Sequence, residues 1–299
     1  MELRHIRYFL AVAEAGNFTR AAQALGIGQP PLSQQIRDLE NEIGVQLFHR
    51  VPHGAELTAA GAAFLQEAKG AVAAAERAKL AALRASRGET GRLTLGFTAS
   101  AAFTPAVSST IRRFRATWPD VDLSLTEMNS NLLLERLMRG ELDAVFIRPG
   151  LEDPKDVRLR RLPDEPMLVA LPVQHRLAAH RRLPLSALAG EPFVVFPRRV
   201  GLSLYNDIVL ACRAAGFELN VRQEAPQMTA VVNLVAADLG ISVVPASLAQ
   251  IRLEGVTYRP LEGEPLVARL ALAMLRNQRS PMTENLESLL PRPKTYDDH

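Results

Sequence analysis

The chain has 299 residues, 47% of them hydrophobic and 22% charged, which suggests about two domains and excludes wholesale disorder or a fibrous repeat. Its formal net charge is only +3, from 35 Lys and Arg against 32 Asp and Glu, so total charge alone does not establish a polyanionic partner. A single cysteine, Cys212, excludes an intramolecular disulfide framework, and the longest apolar stretches, such as Met167–Val173, are too short to span a bilayer. The N-terminus scatters its charges instead of separating the regions of an export signal, so a soluble, cytoplasmic protein with no membrane association is expected.

Leu3, Ile6, Phe9, Leu10 and Ala13 recur at helical spacing and predict a first helix over Leu3–Ala15, stopped by Gly16. Thr19 stands where an N-cap belongs, ahead of a short helix over Arg20–Leu25. After Gly26 and Gly28, a third helix begins at Gln29, with Pro30 and Pro31 in its first turn, where a missing N–H costs nothing. Leu32, Ile36 and Leu39 make its buried stripe. Gln29, Ser33, Gln34 and Arg37 are expected on the opposite face. Amide, hydroxyl and guanidinium groups on one helix face can read base edges, Gln pairing with adenine and Arg with guanine. Two short helices, a glycine turn and such a third helix suggest a helix-turn-helix.

Val45–Phe48 and Ala55–Thr58 read as strands around a turn at His49–Gly54. This wing would place Arg50 and His53 near phosphates or the minor groove. Thr58–Arg87 contains no proline, and only Gly61 and Gly70 interrupt its strong helix formers, so a helix of roughly 45 Å is expected. Leu65, Ala68, Val72, Ala75 and Ala82 approximate a heptad seam, extended by Leu80 and Leu83, which favours a dimerisation helix. Ser86–Gly91 is the natural linker.

Beyond it strands and helices alternate. Strands are predicted at Arg92–Phe97, Val121–Glu127 and Leu142–Ile147, with helices at Thr104–Thr117 and Ser130–Met138. The pattern restarts after Leu162, with strands at Leu168–Val173, Pro192–Phe196, Leu219–Gln223, Ile241–Val244 and Tyr258–Leu261 and helices at Ser203–Ala215 and Gln227–Ala237. One strong strand, Leu266–Leu275, is expected to return to the first half. Alternation of this kind argues for a parallel sheet with helices on its faces, and ligands of such sheets sit beyond the carboxyl ends of the strands. Here those ends are Thr98–Ser100, Met128–Ser130 and Arg148. Two lobes joined by two crossings would form a hinged clamp, and the final PRPKTYDDH reads as a frayed tail.

At this point the chain resembles the LysR-type transcriptional regulators over essentially its whole length. The resemblance rests on A-A-x-x-L, Q-P-P-L-S-x-Q-I and L-E-x-x-I-G-x-x-L-F-x-R near the N-terminus. L-G-F-T-A-S, G-E-L-D-A and L-V-A-A-D-L-G-I-S-V-V-P-A-S carry it through the rest. The subgroup it is most similar to regulates aromatic catabolism, in response to benzoate, muconate or phenylpropanoid-type acids. This implies an α+β multidomain chain. A winged helix-turn-helix is expected at 1–58, a long linker helix at 59–90 and a two-lobed, periplasmic-binding-protein-like effector domain at 91–299. Lobe I would take about 91–161 and 267–299, and lobe II about 162–266.

The resemblance further implies Gln29, Pro30, Pro31, Ser33 and Gln34 as base-reading positions, with Thr19, Arg37, Arg50 and His53 on phosphates or in the wing. Gln34 and His53 both stand where the subgroup often has Arg. For the effector it implies Thr98, Ser100, Asn129, Ser130 and Arg148 as polar contacts, with Ser100, Ser130 and Arg148 as a carboxylate clamp. Apolar walls would come from Phe103, Met128, Phe146, Pro197, Leu202, Leu204 and Pro245. In the competing reading Ser100 only caps a helix and Arg148 pairs with Asp143 or Asp153. The expected partners are double-stranded promoter DNA, RNA polymerase, a small organic acid and further copies of the chain as a dimer of dimers. The acid would be a co-inducer, with no catalytic cofactor and no metal. An enzyme is disfavoured because no G-x-S-x-G, H-E-x-x-H or phosphate loop occurs. A transport-type solute-binding protein remains the alternative, although it would leave the winged N-terminal piece unexplained.

Overall fold

A computed structural model describes residues 1–52, 54–150, 155–198, 202–278 and 280–291. It divides the chain into two compact units, Met1–Arg84 and Ala85–His299. In this division the long helix belongs with the N-terminal unit, and the break falls near its end, a few residues before the expected start of the effector domain at residue 91. The expected tail beyond residue 291 lies outside the described residues.

In the first unit, α1 (Leu3–Ala15), α2 (Phe18–Leu25) and α3 (Gln29–Ile43) precede a hairpin, β1 (Phe48–Val51) and β2 (Gly54–Leu57), and the long α4 (Ala59–Ser86). The cap of α2 is Asn17, not Thr19. Its Oδ1 accepts the N–H groups of Thr19 and Arg20 at 2.8 and 3.1 Å, so Thr19 stands within the helix and is exposed. An Asn side chain reaches the orphan donors of the first turn, and the sequence reading placed the start two residues late. Three aromatic rings, Phe9, Phe48 and Phe64, anchor the core, with Phe9 5.1 Å from Phe48 and 4.9 Å from Phe64 between centroids. The hairpin starts three residues later than predicted, pairing Phe48 with Leu57 and Val51 with Gly54. His49 and Arg50 are therefore strand residues, while His53 is outside the described residues. Thr58 does cap α4: its Oγ1 accepts the Gly61 N–H at 2.9 Å.

The second unit has two lobes. Lobe I carries β3 (Gly91–Phe97), the short α5 (Ala99–Ala102), α6 (Pro105–Thr117), β4 (Val121–Glu127), α7 (Ser130–Met138), β5 (Ala144–Ile147) and β6 (Val157–Arg161). Lobe II carries β7 (Glu165–Pro172), β8 (Pro192–Val195), α8 (Leu202–Ala214), β9 (Asn220–Glu224), α9 (Met228–Ala236), β10 (Ser242–Pro245) and β11 (Val256–Pro260). The chain then returns through β12 (Val267–Ala268), β13 (Ala271–Leu275) and α10 (Pro281–Ser288).

The sheet of lobe I runs β4-β3-β5-β13-β6, parallel at β4-β3-β5 and antiparallel where β13 meets β5 and β6. It is mixed, not wholly parallel, because the return strand enters from the far lobe. In lobe II, β7 pairs antiparallel with both β10 and β11, while β8 and β9 run parallel. The return strand is interrupted. Val267–Ala268 pairs with Pro166 and Glu165, and only after Arg269 and Leu270 does the chain enter the lobe I sheet. The two crossings thus run side by side, and Leu162 N–H donates to the Leu270 carbonyl at 2.9 Å.

Side-chain alternation along β5 builds two cores at once. Ala144 and Phe146 join Phe114 and Leu286 on one face, and Val145 and Ile147 join Leu133 and Leu137 on the other. Leu286 comes from α10, which the sequence reading missed, although Ser280 before Pro281 is a cap-and-first-turn signal. The strand β6 was also missed, despite the alternation of Val157 and Leu159.

Cys212 is fully buried in the core of lobe II. Burial, then the nearby Glu218 carboxylate, pushes its thiol up to about 11. Native protein is expected to resist iodoacetamide at pH 8, where the unfolded chain is alkylated. The raised value adds nothing to destabilisation below about pH 9 and erodes stability as pH climbs from there toward about 11. Rapid native alkylation at pH 8 would contradict the burial argument.

Candidate functional sites: a reading helix and an inter-lobe cleft

The first site is α3. Its apolar stripe, Leu32, Ile36 and Leu39, is fully buried, and Gly28 starts the helix with Pro30 and Pro31 exposed in the first turn. Gln34 and Arg37 are also exposed. Arg37 donates to Gln34 Oε1 at 2.9 Å, and Gln34 Nε2 donates to Asp38 at 2.8 Å. Ser33 is the exception to the predicted face. It is 5% exposed, and its hydroxyl accepts from Gln29 Nε2 at 2.8 Å. The reason is angular: position 33 falls one turn after Gln29 and beside Leu32 and Ile36, close to the edge of the buried stripe. Ser33 therefore orients Gln29, whose Oε1 and second amide N–H point to no partner within the helix. Those two groups match the donor and acceptor of an adenine edge.

Elsewhere in this unit, Glu40 Oε1 accepts the N–H groups of Leu47 and Phe48 at 2.8 and 3.1 Å, tying the end of the reading helix to the wing. Arg50 lies 5.2 Å over the Phe18 ring, a cation–π contact that steadies an exposed guanidinium without neutralising it.

The second site is a cleft of about 590 Å³ between the lobes, a volume suited to a small molecule. Thr98, Ser100, Met128, Asn129, Ser130, Arg148 and Leu204 all line it, as the strand-end argument requires. Asn129 also caps α7 by accepting the Leu132 N–H at 3.0 Å. Four expected walls lie elsewhere. Phe103 packs against the core of lobe II, Phe146 faces the α6 side of its sheet, and Pro197 and Pro245 are not among the lining residues. The Leu202 side chain is outside the described residues. Parity explains Phe146: adjacent strand residues face opposite ways, so Ile147 reaches the cleft instead. Leu159, Phe196 and Met228 complete the apolar wall, and Glu127, Asn206, Asp207 and Gln227 add polar groups that the sequence reading did not name.

Arg148 is 7% exposed and does not pair with Asp143, while Asp153, the other expected partner, lies outside the described residues. It forms a close ion pair with Glu165, at the start of β7. Its Nε donates to Ser100 Oγ at 3.3 Å and its Nη1 to the carbonyls of Ala268 and Arg269 at 3.2 and 3.4 Å. Asp143 instead accepts from the Thr94 N–H and hydroxyl at 2.7 and 2.6 Å. Burial pushes the Arg148 guanidinium below its ordinary value, and Glu165 and, behind it, Asp164 push the other way. A second ion pair links the return crossing to lobe II, Arg269 donating to both oxygens of Asp207 at 2.8 and 2.7 Å. Across the mouth, Ser203 Oγ donates to the Pro149 carbonyl at 2.6 Å. The cleft is therefore bounded by groups that hold the two lobes together.

No described helix is long and apolar enough to cross a membrane. Residues 3–62 match the family model described as "Bacterial regulatory helix-turn-helix protein, lysR family", and residues 86–292 match "LysR substrate binding domain". The chain is 40% identical over 280 residues to the HTH-type transcriptional regulator BudR of Raoultella terrigena, covering 94% of this chain and 97% of that protein. It is 36% identical over 287 residues to the regulator AlsR of Bacillus subtilis, covering 95% and 94%. Its structure is similar to that of CbnR, a LysR family transcriptional regulator, with a TM-score of 0.87 at 28% identity, covering 97% of this chain and all of that one. The similarity extends to full-length CbnR complexed with its target DNA, with a TM-score of 0.82 at 27% identity over 97% and 98% of the two chains. With a winged helix-turn-helix in one unit and a two-lobed cleft in the other, this chain belongs to the LysR family of DNA-binding transcriptional regulators, which are not enzymes.

Proposed function

We propose that the protein reads promoter DNA through Gln29 and the first turn of α3, and that a small organic acid in the inter-lobe cleft switches it. The observation that carries the first half is the Gln29–Ser33 bond, which holds one amide N–H of the half-buried Gln29 and leaves its Oε1 and second N–H for a base edge. Gln29→Ala is expected to weaken binding to the specific site by roughly 1–3 kcal/mol and to leave random-sequence DNA nearly unaffected. Ser33→Ala should show a smaller loss of the same kind, because it acts through Gln29. Competition gel shifts at fixed salt check both, and equal losses on specific and random DNA would overturn base reading. Arg37, Arg50 and Thr19 then serve phosphate contacts and set the salt dependence.

The acid is a co-inducer, with no catalytic cofactor required. An apolar, including aromatic, body suits Ile147, Leu159, Phe196 and Met228. Its carboxylate suits Ser100, Ser130 and the remaining N–H of Arg148. A second carboxylate meets no further cation among the described lining residues, so a monocarboxylic acid is favoured over a dicarboxylic one. The ligand changes DNA occupancy only by binding two arrangements of the lobes with different affinity, and a coupling of about 1–3 kcal/mol is typical. Contact with RNA polymerase then follows in the cytoplasm, where the promoter is.

The working species is a dimer of dimers. Leu80 and Leu83 on the last turns of α4 are 57% and 42% exposed, among alanines that let a second helix approach closely. The outer strands β4 and β9 leave Leu125 and Val221 exposed as a second contact. Leu80→Asp is expected to lower the mass seen by sedimentation, and an unchanged mass would remove α4 from the interface.

A further inference from the structure

Arg148 lines the cleft, yet little of it is available there. A guanidinium has five N–H groups. Four contacts are already in place: Ser100 Oγ, the two carbonyls of the return crossing and the Glu165 carboxylate. Glu165 approaches from behind and is not itself a lining residue. Its other oxygen accepts the Ser247 N–H at 3.1 Å, and the Ser247 hydroxyl is buried without a partner among the described residues. A second donor thus sits on the residue that already holds the carboxylate. The other charged lining residues are Glu127 and Asp207, and Asp207 is satisfied by Arg269. Within the described lining, the sole cation is already neutralised from outside the cleft.

We propose that Glu165 is a specificity-determining residue of the cleft, occupying Arg148 as an internal competitor and thereby setting how tightly an acid effector is held. This rests on the reading that the cleft takes a small acid. An arriving carboxylate gains the full guanidinium only if Glu165 turns away toward Ser247. The apparent affinity is then the intrinsic one reduced by the fraction of molecules in which Arg148 is released. Because Arg148 also grips Ala268 and Arg269, the exchange alters the contact between lobe I and both crossings at the moment of binding. Glu165 is not itself a lining residue of the cleft, so it acts through Arg148.

Calorimetric titration of the full chain with benzoate, and with benzamide as its uncharged counterpart, tests this. Glu165→Gln is expected to bind benzoate at least tenfold more tightly than the unmodified protein, with no change toward benzamide. Glu165→Asp, shorter but still charged, should fall between the two and serves if the Gln variant does not fold. A gain shared equally by benzamide would mean a change of packing and would overturn the proposal, as would benzoate affinity unaltered by either substitution. Specific DNA binding is followed on the same samples. If neither the protein nor its variants take up benzoate while DNA binding persists, both the acid-effector reading and the role of Glu165 fail. If all bind benzoate equally, only the role of Glu165 fails.

Discussion

Arg148→Ala is expected to destabilise the C-terminal unit by about 3–5 kcal/mol, the usual cost of breaking a buried ion pair by removing one partner. The Glu165 side chain is 13% exposed, and the substitution leaves its charge with the Ser247 N–H as its one partner among the described residues. It also strips Ser100 Oγ and two crossing carbonyls of their donor. In a unit of this size the transition should fall by on the order of 10 °C. The N-terminal unit keeps its own core, so the folded fraction should still bind DNA but lose its response to ligand. Denaturant melts of the C-terminal transition check the first point and footprinting with and without acid the second. Adding Glu165→Gln to Arg148→Ala should recover most of the stability, because a neutral amide costs far less to bury than a lone carboxylate. A single variant that melts like the parent would show that the pair is not structural. One that still switches on its effector would remove Arg148 from the site.

Gly61→Ala is expected to cost about 3 kcal/mol in the N-terminal unit, at the upper end for overpacking. Helix propensity alone gives the opposite sign, since Ala is favoured over Gly by about 1 kcal/mol inside a helix. The reason for the reversal is local. A Cβ at position 61 would lie 2.0 Å from the Leu47 carbonyl oxygen. That oxygen also accepts the Thr58 N–H at 3.0 Å, so it cannot retreat without loosening the strand that leads into the wing. Specific DNA binding should weaken together with stability. Gly70, in the same helix, has nothing within 4 Å of such a Cβ. Gly70→Ala should therefore stabilise by about 0.5–1 kcal/mol. Thermal melts of the two variants side by side provide the check, and equal effects would refute the packing argument.

The two glycines show how far local reading reaches. Both look like the same interruption of a helix in the sequence, and only the neighbouring backbone tells them apart. The helices of the N-terminal unit were legible because amphipathic spacing, glycine stops and first-turn prolines act within a few residues. Even there, spacing points to Thr19 as the α2 cap where Asn17 performs it, and to the open face for Ser33, which is buried. In the C-terminal unit the strand ends point to Thr98, Ser100, Met128, Ser130 and Arg148, and these residues line the cleft, because a strand's carboxyl end fixes where its loop emerges. The apolar wall was harder. Missing β6 hid Leu159, and strand parity exchanged Phe146 for Ile147.

What the sequence determined by itself was the order of the units, the α3 helix with its glycine and proline boundaries, and the strand ends that open onto the cleft. These depend on contacts between residues close in the chain, where spacing alone dictates which side chains meet. What only the tertiary structure decided was the electrostatic state of that cleft: Arg148 meets Glu165, seventeen residues on, and the carbonyls of Ala268 and Arg269, more than a hundred residues away. A buried guanidinium must find its partners wherever the fold delivers them, and here two adjacent crossings between the lobes deliver them.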